Sequence, residues 1–219
     1  MKGSLISFLF TIIVFVACKR TEPPTDLGLD YYPLEVGKYS CYIMDSIEFD
    51  AFSETSDTFN YFLKETIETT FVDNAGNTAY KIEVAHRFDS SMEWKFSRYI
   101  SANSDIYSGF RTEYDLRKVK LIFPLKNRKT WDENQFNSLD KQLNKYYDID
   151  ESKSIGNLEY EQTLRVDKGD EEDPFFRFFG EEIYAKGIGL IQEKYINTET
   201  QKGKIDGIKY TKTLYKTNW

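Results

Sequence analysis

The sequence predicts a mainly β protein: an antiparallel curved sheet, sandwich or incomplete barrel with one or two short helices. Three observations predict it. Apolar and polar residues alternate with a period of two along most of the body, the spacing of half-buried strands. The chain carries 17 Phe and 16 Tyr, and these fall with β-branched residues in the same runs. Clusters of Asp, Asn and Gly then break the alternation where hairpins would turn.

Taken in order, Tyr39, Cys41, Ile43, Ile47 and Phe49 share one parity against Ser40, Ser46, Glu48 and Asp50. Phe59, Tyr61, Leu63, Ile67, Thr69 and Phe71 oppose Asn60, Lys64, Thr66, Glu68 and Thr70. After the turn signal Asp73-Asn74-Ala75-Gly76-Asn77, the set Tyr80, Ile82, Val84, His86 and Phe88 opposes Lys81, Glu83 and Arg87. Trp94, Phe96 and Ile100 follow against Glu93, Lys95 and Ser97. Weaker strands fit 106–113 and 118–123. Later ones fit Leu158, Tyr160, Leu164 and Val166 on one parity, then 189–197 and 208–215. The exception is 132–146, where Phe136, Leu139 and Leu143 recur at three and four; that spacing predicts an amphipathic helix from Asp132. A second helical turn fits 175–182, although its four phenylalanines suit a strand equally. The sum is about ten antiparallel strands.

Ahead of this body lie two segments of different composition. Lys2 precedes an apolar run from Leu5 to Ala17, interrupted only by Ser7 and Thr11. A membrane-crossing helix needs ~20 apolar residues, whereas a cleaved leader needs roughly 7–15. Residues 1–17 therefore read as a signal peptide with small Ala17 at its cleavage point. Residues 18–36, with Pro23-Pro24, Gly28 and Pro33, read as a tether, and 37–219 as one β-rich domain, since all-β domains reach roughly 200 residues as a single unit.

Phe15-Val16-Ala17-Cys18 resembles the lipobox of bacterial lipoproteins. The resemblance implies cleavage between Ala17 and Cys18, a diacylglycerol thioether on the Cys18 sulfur and an acylated amino group, palmitate being the acyl class. More than one chain makes such an anchor stable. Lys19 lacks the acidic residue that resembles an inner-membrane retention signal, and 19–22 lack the acidic run that resembles a surface-export signal. By that analogy the protein belongs on the outer membrane facing the periplasm, with surface display open. Two further stretches, Tyr32-Pro33-Leu34-Glu35-Val36-Gly37-Lys38-Tyr39 and Tyr184-Ala185-Lys186-Gly187-Ile188-Gly189-Leu190-Ile191, look like the opening and closing signatures of uncharacterised, β-rich bacterial lipoproteins. That resemblance implies fold and address and brings no active site.

The formal charge is −7, which argues against non-specific nucleic-acid binding, where clustered cations meet phosphate. The two cysteines are Cys18 and Cys41. A thioether-linked Cys18 cannot form a disulfide, so Cys41 is expected to be a free thiol in a buried strand position.

Candidate chemistry is sparse. His86, the single histidine, lies on an apolar parity and reads as a structural, hydrogen-bonded side chain; alone it cannot build a multi-histidine metal site. The acidic run Asp167-Lys168-Gly169-Asp170-Glu171-Glu172-Asp173-Pro174 offers oxygen ligands, but its spacing is not that of a calcium loop and a solvated hairpin tip explains it. Gly187-Ile188-Gly189 lacks the third glycine and flanking elements of a dinucleotide fingerprint. Glu181-Glu182, or Asp45 with Glu48, are pairs of the kind glycosidases use, yet 36 acidic residues produce such pairs by chance. No catalytic residue, metal or cofactor is therefore assigned. The expectation is a membrane-anchored envelope lipoprotein with a non-enzymatic binding or structural role, holding an apolar ligand or an envelope protein partner. The alternatives are a periplasmic carboxylate-dependent hydrolase acting on glycan or peptidoglycan, and an adaptor subunit of an outer-membrane complex.

Overall fold

Twelve strands, joined almost entirely by short turns, make up the body: β1 (Tyr39–Asp50), β2 (Thr55–Val72), β3 (Thr78–Arg87), β4 (Lys95–Ser104), β5 (Ser108–Glu113), β6 (Leu116–Ile122), β7 (Thr130–Asp132), β8 (Leu143–Ile155), β9 (Leu158–Glu172), β10 (Phe176–Ala185), β11 (Gly189–Gln201) and β12 (Lys204–Thr217). The computed structural model describes residues 26–219; the leader, Ala17 and Cys18 lie outside the described residues. All strands belong to one antiparallel sheet in the order β6-β5-β4-β3-β2-β1-β12-β11-β10-β9-β8-β7. Each half is a meander of hairpins, and the halves join where β1 pairs with β12, from Ser40–Thr217 to Phe49–Gly207. A single 3₁₀ turn, Leu29–Tyr31, is the helical element among the described residues. No helix there is long and apolar enough to cross a membrane.

The sheet curls until its two edges nearly meet, giving an almost closed barrel. On β6, the Val119 N–H donates to the Glu133 carbonyl at 2.9 Å. The Trp131 indole N–H donates to the Val119 carbonyl at 2.9 Å. Tyr146 of β8 stitches the same edge twice: its hydroxyl accepts from the Ile122 N–H at 2.7 Å and donates to the Ile122 carbonyl at 3.0 Å. One backbone bond and the Trp131 and Tyr146 side chains thus satisfy edge groups that would otherwise be open to pairing with another chain.

Two apolar clusters fill the interior. One gathers Tyr42, Leu63, Ile67, Ile82, Val84, Ile100, Ile183, Ile191 and Leu214. The other lies under the seam: Tyr31, Phe110, Val119, Leu121, Phe123, Trp131, Tyr146, Leu164, Val166 and Tyr184. Tyr31 belongs to the segment assigned to the tether, and that segment is structured from Leu27 onward. The Leu27 carbonyl accepts from the Leu125 N–H at 3.2 Å and the Asp30 carbonyl from the Gly187 N–H at 2.8 Å. The Tyr32 hydroxyl donates to the Phe110 carbonyl at 2.9 Å. Its ring passes so close to Gly109 that a Cβ there would lie 2.7 Å from the ring edge.

The antiparallel sheet is as the alternation predicts, with three corrections in detail. The helix expected over 132–146 is absent: β7 ends at Asp132, a loop follows, and β8 begins at Leu143. The Asp132 carboxylate accepts from the Asn134 and Gln142 N–H groups, and Asn137 donates to Asn134. These short polar side chains take backbone donors that a helix would need. Phe136, Leu139 and Leu143, whose spacing suggested a buried stripe, are all exposed. The helical turn expected over 175–182 is strand β10. On β1 the inward face is the opposite of the one expected: Ser40, Tyr42, Met44 and Ser46 are buried while Ile43 is exposed. A bulge between Cys41 and Tyr42 buries both neighbours, and Cys41 is a buried free thiol.

Candidate functional site

The inward face of the barrel is not uniformly apolar, and its polar residues converge on a cavity of about 480 Å³. That volume lies within the roughly 300–1,000 Å³ usual for small-molecule sites. One wall is apolar: Met44 on β1, Leu63 and Ile67 on β2, Ile82 on β3 and Ala102 on β4. Aromatic side chains, Tyr32, Tyr42, Tyr195, Tyr210 and Trp219, stand around it. The remaining wall is charged.

Alternation places these charges. Glu65 follows Tyr61 and Leu63 on the inward parity of β2; Lys168 follows Leu164 and Val166 on β9; Lys212 precedes Leu214 on β12. Each is therefore forced inside by its strand and needs a partner. Glu65 receives two parallel bonds from the Arg111 guanidinium, both 2.9 Å, and a third from Lys212 Nζ at 2.7 Å. Arg98 donates to Glu113 at 2.7 Å, and Glu113 also lies 3.5 Å from Arg111. The Lys212 ammonium rests 4.2 Å from the Tyr42 ring centroid, a favourable cation–π distance.

A second network lies against the seam. Lys168 Nζ bridges Glu133 at 2.8 Å and Glu182 at 3.1 Å. Lys120 binds the same two carboxylates, Glu133 at 3.3 Å and Glu182 more closely. The Tyr184 hydroxyl donates to Glu182 Oε2 at 2.6 Å and the Asn144 amide to Glu133 Oε2 at 3.2 Å. Burial alone would raise the carboxyl pKa values, but the facing cations prevail. Arg111 and Lys212 hold Glu65 well below the usual carboxylate range. Lys120 and Lys168 hold Glu182 equally low and bring Glu133 down to about 2. Burial, then the Glu182 charge, push the Tyr184 hydroxyl far up. All these carboxylates are ionised at neutral pH, so none is a ready proton donor.

The residues weighed in the sequence lie mostly elsewhere. His86 is half-buried on β3, 5.6 Å from the Phe88 ring and off the cavity wall. Asp45 and Glu48 are exposed on β1. Glu181 and Glu182 point to opposite faces of β10: Glu181 lies 3.8 Å from Arg165, while Glu182 enters the buried network. In the acidic run, Arg177 lies 2.7 Å from Asp170 and 3.6 Å from Glu172. Among the described residues no group of three or more His, Cys, Asp or Glu side chains is placed to hold a metal ion. Gly187 and Gly189 form the β10–β11 turn, and Ile188 between them touches the cavity.

Fold and site together define a nearly closed antiparallel barrel with a partly charged internal cavity. It is similar to a crystal structure from Bacteroides fragilis NCTC 9343 described as "a putative exported protein with YmcC-like fold", at 10% sequence identity, over 86% of this chain and 98% of that chain, with a TM-score of 0.47. No protein-family model matches the sequence, and the search of curated proteins finds no match.

Proposed function

We propose that the protein is a lipid-anchored envelope lipoprotein that binds a small molecule inside its barrel. The observation that carries this reading is the internal cavity, walled by apolar and aromatic side chains on one side and by ordered charges on the other. A barrel filled for stability alone would close that space with side chains. The anchor rests on the lipobox-like Phe15-Val16-Ala17-Cys18, and Lys19, in place of the acidic residue of a retention signal, supports the outer membrane facing the periplasm as station by analogy. A binding role agrees better with Glu65 and Glu133 than a hydrolytic one: glycan hydrolysis needs one carboxyl kept protonated, and lysine and arginine hold these two low.

Mass spectrometry tests both halves. Protein expressed from the full sequence and extracted from membranes is expected to carry a lipidated N-terminus at Cys18 and to release a near-stoichiometric small molecule on unfolding. An intact Met1 or an unmodified Cys18 thiol overturns the anchor. Native protein that releases no small molecule overturns the binding role.

A second reading, an adaptor in an outer-membrane complex, is favoured by the hairpin tips. Antiparallel order brings the β1–β2, β3–β4 and β9–β10 turns to the same end of the sheet, and these expose Phe52, Phe88, Met92 and Phe175. Co-purification in mild detergent of a partner lost in the Phe52→Ser, Phe175→Ser variant supports this reading. Copies that purify alone count against it.

A further inference from the structure

The sign of the cavity differs from that of the whole chain. Glu65 and Glu113 face three cations, Arg98, Arg111 and Lys212. Glu133 and Glu182 face two, Lys120 and Lys168. Glu193 on the same wall accepts from the Tyr210 hydroxyl at 2.8 Å and offsets one positive charge. That leaves Lys118. It lines the cavity on β6, opposite Arg111 in the β5–β6 register and two residues from Lys120 on the same face. Among the described residues its ammonium group makes no ion pair or hydrogen bond. The result is a net positive interior in a chain of formal charge −7, with one cation unspent.

Lys118 stays unpartnered where it is costly to be so. Burial lowers its pKa, and the nearby Lys120 and Lys168 add to this against the opposing pull of the Glu133 and Glu182 charges. Glu133 and Glu182 are already engaged by those two lysines, so the charge still missing beside Lys118 is an anion from outside the chain. The apolar strip of Met44, Leu63, Ile67 and Ile82 lies on β1–β3, and Glu65, between Leu63 and Ile67 and held by Arg111 and Lys212, marks where it borders the charged wall. A ligand spanning both must itself have two ends.

We infer that the cavity binds an anionic amphiphile, with its carboxylate or phosphate head at Lys118 and its chain along Met44, Leu63, Ile67 and Ile82. This rests on the binding role proposed above and names the ligand class for it.

Full-length protein in lipid nanodiscs, titrated calorimetrically with empty nanodiscs subtracted, separates the possibilities through three probes. Octanoate carries head and chain, octanol the chain alone, and acetate the head alone. Octanoate is expected to bind roughly tenfold or more tightly than either of the others, the scale of one charge-assisted contact. Lys118→Met is expected to cost octanoate about the same factor and to hold or raise the unfolding temperature, since no internal ion pair is lost and an unpartnered, partly buried cation is removed; Lys118→Arg retains binding. Octanol equal to octanoate overturns the anionic head while the binding cavity stands. Acetate equal to octanoate overturns the chain and leaves a free-anion site. No binding by any of the three overturns the amphiphile, and, with nothing released from the native protein, the binding role as well. The comparison of wild-type affinities decides these outcomes even where a variant folds poorly.

Discussion

Glu182 has no exposed surface and yet is charged, because Lys120, Lys168 and the Tyr184 hydroxyl surround it. Removing one member of such a group costs more than the group itself contributes, since the partners stay buried with their charge uncompensated. Glu182→Ala is therefore expected to destabilise the protein by about 3–5 kcal/mol in urea unfolding. Adding Lys168→Met to that variant is expected to restore part of the loss, because one orphaned cation leaves with it. A Glu182→Ala protein as stable as wild type would show that solvent reaches these lysines. Cys41 illustrates the opposite kind of burial. It sits on the far side of the β1 bulge, and burial pushes its thiol up. A thiol kept protonated and covered reacts slowly, so Cys41 is expected to resist thiol reagents in native protein and to label at once in denaturant.

Within an element, close approach of neighbouring strands can decide which residue a position accepts. Gly207 on β12 pairs with Phe49 on one side and Thr198 on the other, at φ +121. A Cβ there would collide with the Asn197 carbonyl oxygen. Gly207→Ala is expected to cost about 1–3 kcal/mol of stability, measured by thermal unfolding, with the loss concentrated in faster hydrogen exchange across β11 and β12. Such positions also explain what could be foreseen. Long, regular runs such as Ile82–Val84 and Leu164–Val166 were legible because both sequence and burial alternate there. The β1 face was not, because Tyr42 and Met44 share the inward parity with Ser40 and Ser46. Polar residues look outward to any reading that equates inside with apolar. The same assumption hid Glu65, Lys120, Lys168 and Lys212. Their one signal was a charge standing on the parity of buried neighbours, as Glu65 does between Leu63 and Ile67. The false helix over 132–146 came from apolar spacing alone; Asp132, Asn134 and Asn137 were the contrary signal.

For the molecule as a whole, closure and charge set the conditions of stability. Tyr146 supplies two of the bonds that hold the barrel's edges together, so Tyr146→Phe is expected to raise hydrogen exchange at Ile122 and along β6 while most of the sheet stays protected. Unchanged exchange there would mean that the Val119–Glu133 and Trp131–Val119 bonds hold the seam without it. Acid probes the interior. Glu65, Glu133 and Glu182 titrate lower in the folded protein than the ~4.3 of a free glutamate. A depressed folded pKa contributes stability that is complete above the unfolded value and is lost as pH falls through the folded one. The unfolding temperature is therefore expected to be flat between about pH 5 and about pH 8 and to fall steeply between pH 4 and about pH 2, with a shallower fall in Glu65→Gln. An unfolding temperature that does not change over that range would remove the buried ions from the account. Finally, the pairing of β1 with β12 has a kinetic meaning. The central ladder joins strands from opposite ends of the described chain, Ser40 against Thr217, and contacts so remote in sequence form slowly, on the order of milliseconds to seconds. Until β12 arrives, β1 presents an unpaired edge to any neighbouring polypeptide. A nascent chain halted before Lys204 should therefore be the species that chaperones and proteases intercept.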